Sequence, residues 1–243
     1  MKNFYFTDGS AENFYTAVFV AYKDENAYIT SSDAVQVGLG DGFFRVQTDE
    51  AKAARVTAKI QTLDARALLE IDRILRTNAA DKEQAAYLYL RALIEYGKPV
   101  RGALTRGEVR RAMDLSAQVG TEVHRLKGFL RFQETQDGVL YAPCSPDNDV
   151  VDLLMPHFAH RLKTCSFIIH DVWRGVAGIY HKGEWLVTAA GEAEIALSER
   201  EKNFQSLWKK YYHTVTIAER KNERQRKNYM PVRYWKFLTE EPK

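Results

Sequence analysis

Cysteine is scarce in this chain: two residues in 243, Cys144 and Cys165. That excludes a disulfide framework and suits a reducing compartment. No stretch approaches 18 consecutive apolar residues, which argues against a transmembrane helix and a membrane partner. The opening residues, Met1 to Ser10, lack the basic-then-apolar layout of a secretion signal, so the expectation is a cytoplasmic protein. Glycine (14) and proline (6) are too few for a collagen-like chain, and no long Gly/Ser/Pro linker or internal repeat is visible. What is present is ordinary globular material, 45% hydrophobic and 28% charged.

The charge is unevenly placed. The formal net charge is only +3, but residues 200–243 carry +7 and residues 1–199 carry −4. A basic segment on a mildly acidic body points to a polyanion partner, nucleic acid being the usual one. A solvated helix face with no partner would leave the same record.

Periodicity gives the elements. Phe4–Asp8 reads as a first strand, ended by Asp8-Gly9-Ser10, and Ala11–Tyr22 follows with helical spacing through Phe14, Ala17, Val18 and Ala21. Tyr28-Ile29-Thr30 is a short strand; Gly38, Gly40 and Gly42 read as a loop without the layout of a dinucleotide fingerprint. Helices are predicted over 49–76, 81–96 and 106–118, the last opened by a Thr105/Glu108 capping box. After Gly120 the period changes. Lys127–Phe132 and Val139–Tyr141 flank Asp137-Gly138 as a hairpin. A helix over Asp149–Leu162, kinked or split by Pro156, precedes strands at Ser166–His170, Gly175–Tyr180 and Trp185–Thr188. A last helix spans 197–221, with Ser198 as its N-cap and Phe204, Leu207, Tyr211, Val215 and Ala218 as its core face. The expected fold is therefore α+β: a helical section plus a small antiparallel sheet, approximately ββαβββ, packed with helices. Its divisions are 1–120 and 121–243, or one continuous domain.

Several constellations carry chemistry. The tail interleaves Arg220, Lys221, Arg224, Arg226, Lys227 and Arg233 with Tyr229, Tyr234 and Trp235. Cations neutralise phosphates and aromatic rings stack on unpaired bases, so the first six are phosphate candidates, and Tyr234 and Trp235 are stacking candidates. Anchoring of the tail by Tyr234 and Trp235 is the alternative. Lys127, Arg131 and Arg161 are further candidates for nucleic-acid contact. His157 and His160 lie at i, i+3, but no His-Glu-x-x-His signature or paired-cysteine spacing accompanies them, so neither a metal nor another cofactor is expected. Cys144-Ser145 lies between a strand and a helix start, where a thiol can be activated, though a helix-capping turn explains the same residues. Asp171 and Arg174 flank Trp173; they could position a phosphate or base, or pair across a turn. With His124 and His157 they are the weak catalytic candidates for an enzyme acting on DNA, a glycosylase or a nuclease.

Ordered motifs run through the chain: His124–Phe132, Tyr141–Asn148, Pro156-His157-Phe158-Ala159 with Arg161, Phe167–Asp171, Ala218–Asn222 and Met230–Trp235. Together with Phe6, Asp8, Gly9 and Ser10 these resemble a bacterial family of unassigned function associated with DNA repair or DNA metabolism. The resemblance implies a context. Family members are typically encoded beside a radical S-adenosylmethionine protein, and related domains occur fused to a uracil-DNA glycosylase-like domain. This chain lacks the cysteine triad that would hold an iron–sulfur cluster, so radical chemistry would belong to the partner. The expectation is a DNA-binding accessory protein, for single- or double-stranded DNA, that works with that partner. The alternatives are a DNA-processing enzyme and a protein-only adaptor whose basic tail docks an acidic surface.

Overall fold

The computed structural model describes residues 1–191, 194–217 and 220–240, with residue 99 by its backbone alone. The fold is α+β. The chain forms two compact units, residues 1–120 and 121–243.

The first unit opens with β1 (Asn3–Phe6), α1 (Ala11–Ala21), β2 (Ala27–Thr30) and β3 (Gly42–Arg45). The strands form a parallel sheet in the order β2-β1-β3. Ser10 caps α1 by accepting from the Asn13 amide. Gly42, expected to lie in a loop with Gly38 and Gly40, instead opens an edge strand, paired from Asn3↔Gly42 to Phe6↔Arg45. The buried Asn13 side chain ties the exit of that strand to α1 by donating to Val46 O (3.0 Å) and Thr48 Oγ1 (2.8 Å). α2 (Glu50–Leu75) starts at the N-cap Asp49 and buries Ile60, Ala67, Ile71 and Ile74, as the spacing requires. Its regularity breaks at Asp64, which is extended and accepts from the Arg66 amide at 3.1 Å, capping the second half of the helix as Asp49 caps the first. α3 (Lys82–Tyr96) packs on α2, burying Tyr87, Tyr89, Leu90 and Leu93, and stops at Gly97, whose φ of +72° suits glycine. Two buried tyrosine tips are paired here: Tyr89 donates to Glu70 (2.7 Å), which also pairs with Arg101, and Tyr87 donates to Ala21 O (2.9 Å).

α4 runs from Gly107 to Phe129. It ends 11 residues later than its sequence suggests. Lys127–Phe129 is therefore helix, and the hairpin around Asp137-Gly138 is entered by the short strand β4 (Gln133–Glu134). The rest of the second unit is β5 (Leu140–Cys144), α5 (Val151–Arg161), β6 (Phe167–Asp171), β7 (Val176–His181), β8 (Glu184–Ala189), α6 (Glu199–Val215), α7 (Glu223–Tyr229) and a 3-10 helix over Val232–Phe237. The order ββαβββ holds. The sheet runs β4-β5-β6-β7-β8, with antiparallel pairs except β5–β6, which is parallel because α5 crosses over between them. α5 is one helix through Pro156. It presses closely on β7: a Cβ on Gly178 would collide with Met155 Sδ and Val151.

α6 corrects one expectation. Phe204, Leu207, Tyr211 and Val215, read as a core face, are each more than half exposed, and Ala218 lies outside the described residues. The helix docks by another face. Ser198 caps it; Glu201 is buried and accepts from the Glu134 amide (3.2 Å) and Gln205 (2.9 Å); Trp208 Nε1 donates to Glu240 (3.1 Å). Polar pairing, invisible to hydropathy spacing, selects the buried side.

Candidate functional site

The tail is fastened through a buried carboxylate on α4. Glu122 accepts from the Asp147 amide (2.9 Å), the Asn148 amide (2.8 Å) and side chain (2.7 Å), Arg233 Nη2 (2.8 Å) and the Tyr234 hydroxyl (2.9 Å). Burial pushes its pKa up, but the Asp147 amide, Arg233, the Asn148 amide and Tyr234 outweigh that and hold it below the ordinary glutamate value. Arg233 also pairs with the Asp147 carboxylate at 2.8 Å. Two of the tail candidates are thus committed to the fold. Tyr234 is 3% exposed and offers no face for stacking. Trp235 donates to Met230 O (3.1 Å) and carries the Arg226 guanidinium over its ring, 4.2 Å from the centroid. Arg131 is held by Glu240 at 2.8 Å. Burial pushes Glu240 up, and Arg131 and Trp208 bring it below its ordinary value.

Other tail cations face water. Asn222 caps α7 by accepting from the Gln225 amide (2.9 Å), and Arg125 reaches from α4 to Asn228 O (3.3 Å) at the far end of that helix. Arg220, Lys221, Arg224 and Lys227 are exposed, and Arg226 is half-buried beside Glu223. Arg220, Lys221 and Arg226 line a pocket of about 570 Å³ together with Tyr212, His213 and Tyr229. Tyr229, 69% exposed, is the aromatic ring open beside these cations, although the sequence singles out its neighbours. Lys127 and Arg161 gather elsewhere in the unit: burial first, then the charges of Lys127, Arg161 and His160, hold His157 below its ordinary pKa.

A second cleft lies at the β6–β7 turn. Asp171, fully buried, accepts from the amides of Trp173 (3.1 Å) and Arg174 (3.2 Å) through one oxygen and from Arg174 Nη1 (2.9 Å) through the other. Arg174 also donates to Pro146 O (2.9 Å) and to Asp147 O. Asp171 and Arg174 are therefore an ion pair across a turn that Gly175 closes at φ +64°. Parallel pairing of β5 with β6 brings Tyr141 to His170, whose Nδ1 lies 2.7 Å from the tyrosine hydroxyl. Both rings line a cleft of about 780 Å³, with Trp173 at its rim, 68% exposed.

The remaining candidates stand apart. His124 is exposed on α4, and His157 packs edge-on against Phe158 on α5, 4.9 Å between centroids. Neither meets Asp171 or Arg174 in a hydrogen bond or ion pair among the described residues. Cys144 is buried, and burial pushes its thiol well above the ordinary value, the reverse of an activated nucleophile. Among the described residues no group of three or more His, Cys, Asp or Glu side chains could hold a metal ion, and no helix is long and apolar enough to cross a membrane. The central residue that sequence reasoning misses is Glu122. Its one signal is a carboxylate in helical step with Val119 and Leu126, both buried.

No curated protein and no solved structure matches the chain. The family described as a domain of unknown function, DUF4130, matches residues 80–240. That span is more than half of the chain, and the chain belongs to this family.

Proposed function

We propose that the chain is an accessory protein of DNA repair or DNA metabolism that binds DNA and works with a radical S-adenosylmethionine partner. The observation that carries the reading is the water-facing group Arg220, Lys221, Arg224 and Lys227 beside the open ring of Tyr229. Cations without buried partners are available to phosphates, and an exposed phenol ring is available to an unpaired base. Arg226 and Arg161 extend the positive surface. The partner enters from the resemblance to DNA-associated proteins alone; two cysteines, one buried, cannot hold an iron–sulfur cluster of the radical type, so any such chemistry would belong to that partner.

Binding to single- and double-stranded DNA across a salt series tests the reading. Clear, salt-steep binding is expected. The double variant Arg224→Glu/Lys227→Glu should weaken it and flatten the log–log slope by about 0.9 per lost contact on duplex, or about 0.7 on single strands. Unchanged binding overturns the tail assignment. The uncovered stripe Phe204, Leu207, Tyr211 and Val215 favours a second reading, a protein-only adaptor. Absence of DNA binding at low salt, with nuclease-resistant co-purification of the partner, would select it.

A further inference from the structure

We infer that the cleft at the β6–β7 turn binds a nucleobase, with Trp173 stacking on its face and His170 Nε2 hydrogen-bonding to its edge. The argument starts from an unpaired atom. His170 is only 5% exposed, and it is one of the side chains that line the cleft. Its Nδ1 is paired with Tyr141, but Nε2 has no protein partner among the described residues.

Tyr141 is buried, and His170 Nδ1 is the one partner its hydroxyl meets among the described residues. Burial, with the nearby Cys144 second, raises the phenol pKa, so the proton stays on the oxygen. The hydroxyl keeps its proton and can donate to Nδ1 or accept from it, the tautomer deciding which. Nε2 is correspondingly a donor or an acceptor toward a ligand.

The other groups complete a lining of one kind. Glu194 brings a carboxylate, an acceptor, to the same cleft. Trp173 brings an exposed indole whose backbone is fixed, since Asp171 holds the amides of Trp173 and Arg174 and the Arg174 guanidinium together. Gly191 leaves open space at the cleft. A volume of about 780 Å³ suits a small organic ligand. An aromatic face beside an imidazole nitrogen and a carboxylate fits a flat heteroaromatic ring with a polar edge, such as a nucleobase.

The base can belong to a strand or to a free nucleoside. The strand is the natural source if the chain binds DNA, and only that choice of source rests on the function proposed above. Arg174 supports it, because it donates to Asp147 O while the Asp147 carboxylate holds Arg233 at the root of the tail.

The test has two arms, each with the full chain and the variants Trp173→Ala and Glu194→Gln, both at exposed side chains. In the first, adenosine, guanosine, cytidine and thymidine are titrated separately while tryptophan fluorescence and the His170 imidazole resonances are followed. In the second, a single-stranded oligonucleotide carrying one 2-aminopurine is titrated. The expected result is a His170 shift with at least one nucleoside, with affinity falling roughly 5- to 150-fold in Trp173→Ala, the worth of one base–aromatic stack. Glu194→Gln should change which nucleoside is preferred. Quenching of 2-aminopurine that Trp173→Ala abolishes assigns the base to a strand; nucleoside binding without oligonucleotide binding keeps the pocket and removes the DNA reading. If no nucleoside moves His170 and Trp173→Ala leaves the 2-aminopurine signal unchanged, the inference is overturned, even if salt-dependent DNA binding persists.

Discussion

Tyr234 donates a hydrogen bond of 2.9 Å to the carboxylate of Glu122, 112 residues earlier in the chain, and both side chains are buried. With Arg233 beside it, this contact makes the C-terminal segment an integral part of the second unit. The cations that precede it are then displayed on a held support, so a polyanion that bound them would meet a reduced ordering cost.

Glu122→Ala should be severely destabilising. It strips the acceptor from Arg233, Tyr234, Asn148 and the Asp147 amide at once, and breaking a buried ion pair costs about 3–5 kcal/mol. Tyr234→Phe removes a single donor and should cost about 1 kcal/mol. Urea denaturation of both variants checks the ranking; equal, small losses would show that the carboxylate is not the tail's anchor.

Acid should unfold the protein in two separable steps. Glu122 and Glu240 have folded pKa values below the ordinary 4.5, so the unfolded chain takes up their protons more readily. Their contribution is fully present above that value and is lost as pH falls through the folded values. His157, also depressed, lies below 6.5 when folded, so its unfolded form gains a proton first and stability declines as pH drops below that point. In denaturation midpoints measured against pH, His157→Gln should remove the upper step and Glu122→Gln should flatten the lower.

The two thiols should differ in reactivity. Cys165 is exposed, whereas Cys144 is buried, pushed up in pKa and placed 3.4 Å from His170 O. A thiol reagent should label Cys165 alone in the native protein and both cysteines in denaturant. Native labelling of Cys144 would contradict the packing of β5.

Gly178→Ala should cost about 1–3 kcal/mol by overpacking, because the new methyl meets Met155 and Val151 of α5. Gly183→Ala, at a turn with open space but φ +94°, tests strain alone. Thermal melts of the two separate crowding from conformation.

Caps and periods that act locally were readable. Ser198 caps the helix it precedes, as its position suggests, and the Asp137-Gly138 turn sits where the dipeptide places it. What resisted reading depends on distant partners. α4 continues past Gly120 because Glu122 and Leu126 find burial there, which a glycine-based stop signal cannot anticipate. β3 holds because β1 offers it an edge. α6 turns its polar Glu201 and Gln205 inward because β4 presents a backbone amide. In the sites, the Asp171–Arg174 pair was visible as a turn pair three residues apart. The Tyr141–His170 contact was not, since it joins residues 29 apart through the register of two parallel strands.

The family match begins at residue 80, just before α3, yet α3 packs into the core of residues 1–120. A fragment expressed from that edge would lose α1 and α2 and bring Tyr87, Leu90 and Leu93, all fully buried, to its surface. Its behaviour would report orphaned core, in poor yield and self-association, before it reported anything about function. The edge of sequence similarity and the edge of a folding unit fall 40 residues apart.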